Sequence, residues 1–167
     1  MKNFYIFLDI DGVLYDWGYI IAETDAGRRE KGGLIDKFKP ESIYALNLLI
    51  NELQKNYNVG LVISSSWRSN LPFTIQTLKD NGLIYNKKIE RTPIYNPSKR
   101  GEQILDYLAD KTNYDFVIID DEMFDFEKFF GKDKIIKCEA FNSALSVKMV
   151  EDFLKSINLK GEMQELI

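Results

Sequence analysis

The sequence of 167 residues contains no histidine. This absence excludes Ser-His and Cys-His nucleophile pairs, phosphohistidine intermediates and zinc sites of the HExxH type. Any hydrolytic chemistry must therefore use carboxylates, hydroxyls, lysine or arginine. A metal site built from the remaining side chains would be rich in oxygen ligands, and such ligands favour magnesium over zinc.

Cysteine and long apolar runs are also scarce, and acidic residues outnumber basic ones. The single cysteine, Cys138, excludes a disulfide framework and favours a reducing compartment. No apolar run approaches the length of a membrane span, and Asp9 and Asp11 interrupt the apolar start of the chain too early for a signal peptide. The net charge of -4 argues against a broad non-specific nucleic-acid surface. We expect a cytoplasmic protein with no membrane association and no obligate protein partner.

The first candidate site lies near the start of the chain. The apolar run 4–8 predicts a buried parallel strand, and it is followed by Asp9, Asp11 and then Gly12. Side chains two residues apart on a strand point to the same side, so both carboxylates would lie at the strand end. Two like charges this close repel each other unless they share a cation or a proton. Taken alone, the pattern fits an acidic turn as well as a functional site.

Apolar strands and amphipathic helices alternate along the rest of the chain, which predicts a parallel sheet with crossover helices. Strands are predicted at 59–63, weakly around Lys88-Ile89, at 116–119 and at 134–137, and helices from Pro40, from Pro72, after an N-cap at Ser98, and over 143–157. Residues 15–39 sustain no helical period, so we expect an excursion with a hairpin that turns near Gly32-Gly33.

Three of the predicted strands end in polar residues. These are Asp9 with Asp11, the run Ser64–Ser66, and Asp120 with Asp121. The carboxyl ends of parallel strands meet at one edge of an open sheet, and ligands bind at that edge. The repetition at three strands favours a functional site over random surface polarity.

The same stretches resemble the four motifs of the haloacid dehalogenase (HAD) superfamily. The stretches are Asp9-Ile10-Asp11-Gly12-Val13, Leu61-Val62-Ile63-Ser64, Lys99-Arg100-Gly101 and Ile118-Ile119-Asp120-Asp121. More narrowly, the Ser65-Ser66-Trp67-Arg68 string, the Thr92-Pro93 pair and the Arg100-Gly101 stretch with Ile104 resemble the HAD domains of Swiss Army Knife RNA repair proteins.

The resemblance implies a role for each acid. Asp9 resembles the nucleophile that takes the phosphoryl group as an aspartyl phosphate. Asp11 resembles the acid that protonates the leaving oxygen and later deprotonates the attacking water. Mg²⁺ would be held by Asp9, the backbone carbonyl of Asp11, and the pair Asp120 and Asp121, of which either residue is a candidate for direct binding.

The resemblance also implies ligands for the phosphate. Ser64 would hydrogen-bond a phosphate oxygen, and Ser65 is a candidate for a second such ligand or, preferably, for a helix cap. Arg100 or Lys99 would offset the phosphoryl charge. We prefer Arg100, because a cation followed directly by glycine is the commoner form in the family.

Other residues near the motifs have simpler interpretations. Arg68 is interpreted as a solvated arginine at a helix start, with contact to a second phosphate as the alternative, and Asp125 as a third partner of the paired acids. We expect an exposed charge cluster at Arg28, Arg29 and Lys31, and core contacts from Phe124, Phe126, Phe129 and Phe130.

The implied fold is a three-layer α/β/α sandwich with a mainly parallel, Rossmann-like HAD sheet. Residues 1–167 would form a single domain with a small flap insertion at about 15–39, too short for a large cap domain. The implied function is magnesium-dependent hydrolysis of a phosphomonoester, on a phosphorylated small molecule, a nucleotide or a nucleic-acid end. Two alternatives stay open, namely a catalytically idle phosphate- or nucleotide-binding domain and a phosphotransferase that acts on a small metabolite.

Overall fold

One sheet of five parallel strands organises the chain. The structure, a computed structural model, describes residues 1–165 and the side chains of residues 1–158. The strands are β1 (Asn3–Leu8), β2 (Asn58–Ile63), β3 (Glu90–Arg91), β4 (Tyr114–Asp120) and β5 (Ile135–Lys137). Their order is β3-β2-β1-β4-β5, so the strand that precedes Asp9 is central. The predicted parallel sheet is confirmed.

Helices cover both faces of this sheet. They are α1 (Trp17–Asp25), α2 (Pro40–Gln54), α3 (Leu71–Asp80), α4 (Arg100–Leu108) and α5 (Val147–Glu165). On one face, Ile6 and Leu8 belong to a core cluster that includes buried residues of α1, α2, α3 and α5. On the other face, Phe7 shares a second cluster with Ile104 and Leu108 of α4. These three layers confirm the α/β/α sandwich.

The register of the central strands aligns their carboxyl ends. Leu8 at the end of β1 pairs with Ile63 of β2 and with Ile119 of β4. The ladder continues by one residue, since Ser64 N–H donates to the Leu8 carbonyl at 2.8 Å and Asp9 N–H to the Ile119 carbonyl at 3.0 Å. The three segments therefore deliver their polar residues side by side.

The segment 15–39 differs from its prediction, because it contains helix α1 where we expected a hairpin. Asp16 caps this helix by accepting a hydrogen bond from Tyr19 N–H at 2.8 Å. The N–H groups of Trp17 and Gly18 donate to the carbonyls of Ala140 and Phe141. These partners lie far away in the sequence, and Gly18 weakens the local helical pattern, so sequence periodicity did not indicate the helix.

Other boundaries also move. The weak third strand is Glu90–Arg91 rather than Lys88-Ile89, and Lys99 rather than Ser98 occupies the position before α4. The last helix starts at Val147, because Ser143 forms a bridge with Glu139 and the Ser146 hydroxyl accepts from Met149 N–H.

Along residues 1–165, no helix is both long enough and apolar enough to cross a lipid bilayer.

Candidate active site

Three carboxylates meet at the carboxyl end of the sheet. Asp9 follows β1, Asp120 ends β4 and Asp121 comes next. Within the described part of the chain, one oxygen from each acid lies within 4.8 Å of the others. Asp9 and Asp120 are 4% and 1% exposed, whereas Asp121 is half-buried. Acids this close together in so little water form a candidate cation site.

Burial controls the electrostatics of this cluster. The loss of water raises the pKa of Asp9 to about 7, an effect that Arg100 opposes and Asp121 reinforces. Burial also raises the pKa of Asp120 well above its usual range, and the negative charge of Asp9 adds to this rise. Without a cation, Asp9 and Asp120 therefore retain protons to a higher pH than ordinary carboxyl groups do, and a bound divalent cation would displace them.

Arg100 is the cation that the structure brings to the acids. Its Nη1 lies 3.3 Å from Asp9 Oδ1 and 3.4 Å from Asp120 Oδ2, and it donates to the Ser64 carbonyl at 2.7 Å. Lys99 points elsewhere, because its exposed ammonium lies 3.5 Å from Glu102 Oε2. Of the two candidate cations, only Arg100 contacts the cluster.

Ser64 and Ser65 have different surroundings. Ser64 is 1% exposed, and its hydroxyl is a buried polar atom without a hydrogen-bond partner among the described residues. Ser65 accepts a hydrogen bond from Trp67 N–H at 3.3 Å and caps a 3-10 helix, Ser66–Asn70. The Ser65 hydroxyl is thus engaged as a cap, whereas the Ser64 hydroxyl is free to bind a ligand.

Asp11 is held by two aromatic side chains. The Tyr15 hydroxyl and the Trp67 indole Nε1–H both donate to Asp11 Oδ1, the latter at 3.0 Å. The other oxygen, Oδ2, receives no hydrogen bond from the described residues. Sequence reasoning missed both donors, although Tyr15 lies four residues after Asp11 and Trp67 stands in the string that follows Ser64. An aromatic side chain with a polar tip beside an acidic motif is the signal that was available.

The sequence of residues 5–149 matches the family described as the HAD domain in Swiss Army Knife RNA repair proteins. The matched region includes the carboxylate cluster, Arg100 and Ser64. The chain belongs to this family. The HAD domain is therefore a member of a superfamily of phosphatase-type hydrolases, and the resemblance carried by the motifs is confirmed. No curated protein and no solved structure gives a significant match to this HAD domain.

The residues of the HAD domain fit both a magnesium ion and a phosphoryl group. The donor set Asp9, Asp120 and Asp121 consists of oxygen ligands only, as Mg²⁺ prefers. The Ser64 hydroxyl and Arg100 Nε are buried without a partner in the described part of the chain. Such groups are costly to bury, by about 1–3 kcal/mol each, unless a ligand satisfies them.

Gly12 allows the acids to approach one another. Its φ of +75° lies in the left-handed region, and a Cβ at this position would lie 2.5 Å from Asp121 Oδ2. Any side chain at residue 12 would therefore displace Asp121 as well as strain the backbone.

Contrary to the prediction, Asp125 does not join the cluster of Asp9, Asp120 and Asp121. Its carboxylate accepts from Gly101 N–H at 2.6 Å and from Glu102 N–H at 3.3 Å, so it caps the start of α4. A carboxylate satisfies the free N–H groups and the positive end of the helix dipole at this terminus. Asp125 thereby anchors the helix that carries Arg100.

Arg68 is buried rather than solvated. It is 4% exposed and donates to the Ser65 carbonyl at 2.8 Å and to Gln103 Oε1 at 2.7 Å. Burial and the nearby Arg100 lower the pKa of its guanidinium. Arg68 therefore links the 3-10 helix after Ser65 to helix α4.

The core contacts predicted for the phenylalanines are found only in part. Phe126 is fully buried, but Phe124 and Phe129 are 37% and 41% exposed. The Phe124 ring lies 4.6 Å from the Arg100 guanidinium carbon, in cation–π geometry.

In the predicted charge cluster of residues 28–31, Arg28 and Lys31 are exposed as expected, whereas Arg29 is half-buried and donates to the Gly33 carbonyl.

Proposed function

We propose that this HAD domain is a magnesium-dependent phosphomonoester hydrolase that acts through an aspartyl phosphate on Asp9. One observation carries the proposal: Arg100 Nη1 lies within 3.4 Å of both Asp9 and Asp120 and donates to the carbonyl of Ser64, whose hydroxyl has no partner among the described residues. Phosphoryl transfer needs positioning and charge neutralisation above all, and these residues supply both.

The two acids after β1 perform separate parts of the reaction. An Asp9 oxygen attacks phosphorus, and the bond from phosphorus to the ester oxygen breaks. Asp11 gives its proton to the departing oxygen and then takes a proton from the water that attacks the aspartyl phosphate. The bond between phosphorus and Asp9 breaks, phosphate leaves, and both carboxyl groups return to their starting states.

The remaining residues bind the group that is transferred. Ser64 donates its hydroxyl hydrogen to a phosphate oxygen, and Arg100 offsets the negative charge of that group. Asp9, Asp120, Asp121 and the backbone carbonyl of Asp11 would hold Mg²⁺, which stabilises charge on the phosphoryl oxygens. A cytoplasmic location and independence of a protein partner belong to the same proposal.

The direct test is hydrolysis of nitrophenyl phosphate with Mg²⁺, after exhaustive chelation, and after Mg²⁺ is restored. We expect turnover to stop on chelation and to return with the ion. Turnover that survives chelation would contradict the role of the metal. Phosphate binding without turnover would support the idle domain, and transfer only to an added alcohol would support a phosphotransferase.

The substrate class is proposed to be a nucleotide or a nucleic-acid end. Support comes from the family, whose description names RNA repair proteins, and from the short flap, which leaves room for a large substrate. The net charge of -4 is unfavourable for a long polynucleotide. A panel of phosphorylated oligonucleotides, nucleotides and sugar phosphates tests this choice, and a clear preference for a sugar phosphate would overturn it.

A further inference from the structure

A cavity of about 410 Å³ lies against Asp11. Residues 33–35 of the flap (residues 15–39) line one side. The 3-10 helix Ser66–Asn70 and the first turn of α3 line the other with Trp67, Phe73 and three small polar side chains, Ser69, Asn70 and Thr74. None of the acids Asp9, Asp120 and Asp121 lines this cavity. The cavity therefore adjoins the candidate acid of the reaction but not the candidate metal cluster.

The largest side chains in the walls of the cavity are apolar and partly exposed. Trp67 and Phe73 stack with ring centroids 5.9 Å apart and an angle of 25° between the ring planes. Phe73 is 37% exposed and Leu34, on the flap side, is 68% exposed. Large apolar groups exposed in a concave site next to catalytic residues are typical of ligand subsites.

The charge of the lining restricts the ligand. Asp11 is the one ionisable side chain among the described residues that line the cavity, and no lysine or arginine lines it. A ligand with its own negative charge would find no cation here to offset it, and the Asp11 carboxylate would repel it once Asp11 has given up its proton. The cavity consequently favours an uncharged group.

Trp67 both lines the cavity and contacts the candidate acid, Asp11. Its indole Nε1–H holds Asp11 Oδ1 at 3.0 Å, while its ring forms a wall of the cavity. The group that receives the Asp11 proton is the leaving group of the substrate. That group must therefore lie close to Trp67.

We propose that this cavity binds the leaving group of the substrate, and that the leaving group carries a flat, uncharged ring which stacks against the Trp67–Phe73 pair. The inference rests on the proposed function, because it takes Asp11 as the acid of a phosphomonoesterase. It adds the subsite and the chemical feature of the substrate that the subsite selects.

The test compares two substrates, 2-phenylethyl phosphate and 2-cyclohexylethyl phosphate. Their alcohols have similar acidity, so the two leaving groups differ in the flatness of the ring rather than in chemical reactivity. Stacking on an aromatic side chain is worth roughly a tenfold preference, so we expect kcat/KM to be about tenfold higher for the phenyl compound. Phe73→Leu keeps an apolar side chain without the flat ring, and it should reduce this preference to near unity, mainly by raising KM for the phenyl compound.

Tyr44→Ala is the matched control, since Tyr44 is an aromatic residue of α2 that is 63% exposed and lies outside the cavity. It should leave the preference unchanged. Equal kcat/KM values for the two compounds, or a preference that Phe73→Leu does not alter, would overturn the inference while leaving the proposed function intact. No turnover of either compound by a protein that hydrolyses nitrophenyl phosphate would also overturn the inference, whereas no turnover of nitrophenyl phosphate itself would overturn the proposed function, and the inference with it.

Nucleosides are a natural source of such a ring, either free or at the end of a nucleic acid. A nucleoside monophosphate and an oligonucleotide ending in the same phosphorylated nucleotide separate these two sources. Reduced kcat/KM of Phe73→Leu for the monophosphate alone would identify the free nucleotide, and a reduction for both would include the nucleic-acid end. A reduction for neither would contradict the inference.

Discussion

Asp9 and Asp11 are two residues apart, but their surroundings give them different properties. Asp9 is buried, with the Arg100 guanidinium 3.3 Å from its Oδ1. Asp11 is only half-buried and receives two uncharged donors, from Tyr15 and Trp67, on one oxygen. Burial and the hydrogen bond to Asp11 raise the pKa of Tyr15, so its hydroxyl keeps its proton and stays a donor. The candidate nucleophile is thus positioned by charge, and the candidate acid by neutral hydrogen bonds.

Removing either aromatic donor should impair the acid more than the nucleophile. Trp67→Phe and Tyr15→Phe each delete one hydrogen bond to Asp11 and keep a ring. We expect kcat/KM for alkyl phosphates to fall about tenfold in each variant, and kcat/KM for nitrophenyl phosphate to fall much less. This ratio covers the steps up to departure of the leaving group, before Asp11 acts as a base, and a good leaving group needs little protonation.

Tyr95→Phe is the control for this pair of variants. It deletes a similar hydrogen bond, from the Tyr95 hydroxyl to Asp106 Oδ2 at 2.7 Å, on the exposed surface. It should leave kcat/KM for both substrates unchanged. Equal losses of kcat/KM for alkyl and nitrophenyl phosphates in Trp67→Phe and Tyr15→Phe would show that the two donors do not act through Asp11.

At the scale of the element, the loop after β1 determines how close Asp121 comes to Asp9. Gly12 and Gly27 both have a positive φ, +75° and +71°, but only Gly12 has a carboxylate where a Cβ would lie. A Cβ at Gly27 would meet no atom within 4 Å. A comparison of the same substitution at the two glycines therefore distinguishes the effect of backbone strain from the effect of displacing Asp121.

This difference gives a paired prediction. Gly12→Ala and Gly27→Ala should each lower the free energy of unfolding by about 1–2 kcal/mol, because alanine is strained at a positive φ. Only Gly12→Ala should also weaken Mg²⁺ binding, since it displaces Asp121. Denaturant unfolding and calorimetric titration with Mg²⁺ measure the two effects. Equal Mg²⁺ affinities in the two variants would contradict the close approach of residue 12 to Asp121.

How well an element could be predicted depended on where its stabilising partners lie in the sequence. β1, β2 and β4 are apolar runs that end in polar residues, so the positions of Asp9, Ser64 and Asp120 followed from local pattern. Helix α1 and the start of α4 depend on distant partners, the carbonyls of 140–141 and the Asp125 carboxylate. Such partners leave no periodic signal, which is why the hairpin and the Ser98 cap were wrong.

At the scale of the whole molecule, the sheet register brings together acids that repel each other. Asp9 and Asp120 come from neighbouring strands whose ends are aligned, and burial raises the pKa of both. The folded protein therefore binds more protons than the unfolded chain between the ordinary carboxyl pKa of about 4 and the raised pKa of Asp9. The contribution of this cluster to stability must fall as the pH rises through that range.

This linkage predicts a pH dependence that Mg²⁺ reverses. In the absence of metal, the melting temperature of Asp9→Asn relative to the parent protein should rise from pH 5 to pH 8, because asparagine stays neutral. Mg²⁺ should stabilise the parent protein strongly at pH 8 and little at pH 5, where protons compete for Asp9. Thermal melts at several pH values, with and without the ion, measure both effects. A stabilisation by Mg²⁺ that does not change with pH would contradict the competition between protons and Mg²⁺ for Asp9.

The central claim is that Asp9 is the nucleophile and Asp11 the acid and base. Asp11→Asn keeps the nucleophile but removes the base that activates water, so phosphoenzyme should accumulate with nitrophenyl phosphate and Mg²⁺. Asp9→Asn replaces the nucleophile with an amide and should form no phosphoenzyme. Mass spectrometry after a rapid acid quench measures the added phosphoryl group directly. We predict the adduct on the Asp11→Asn protein and none on the Asp9→Asn protein, whereas an adduct on Asp9→Asn would contradict the assignment.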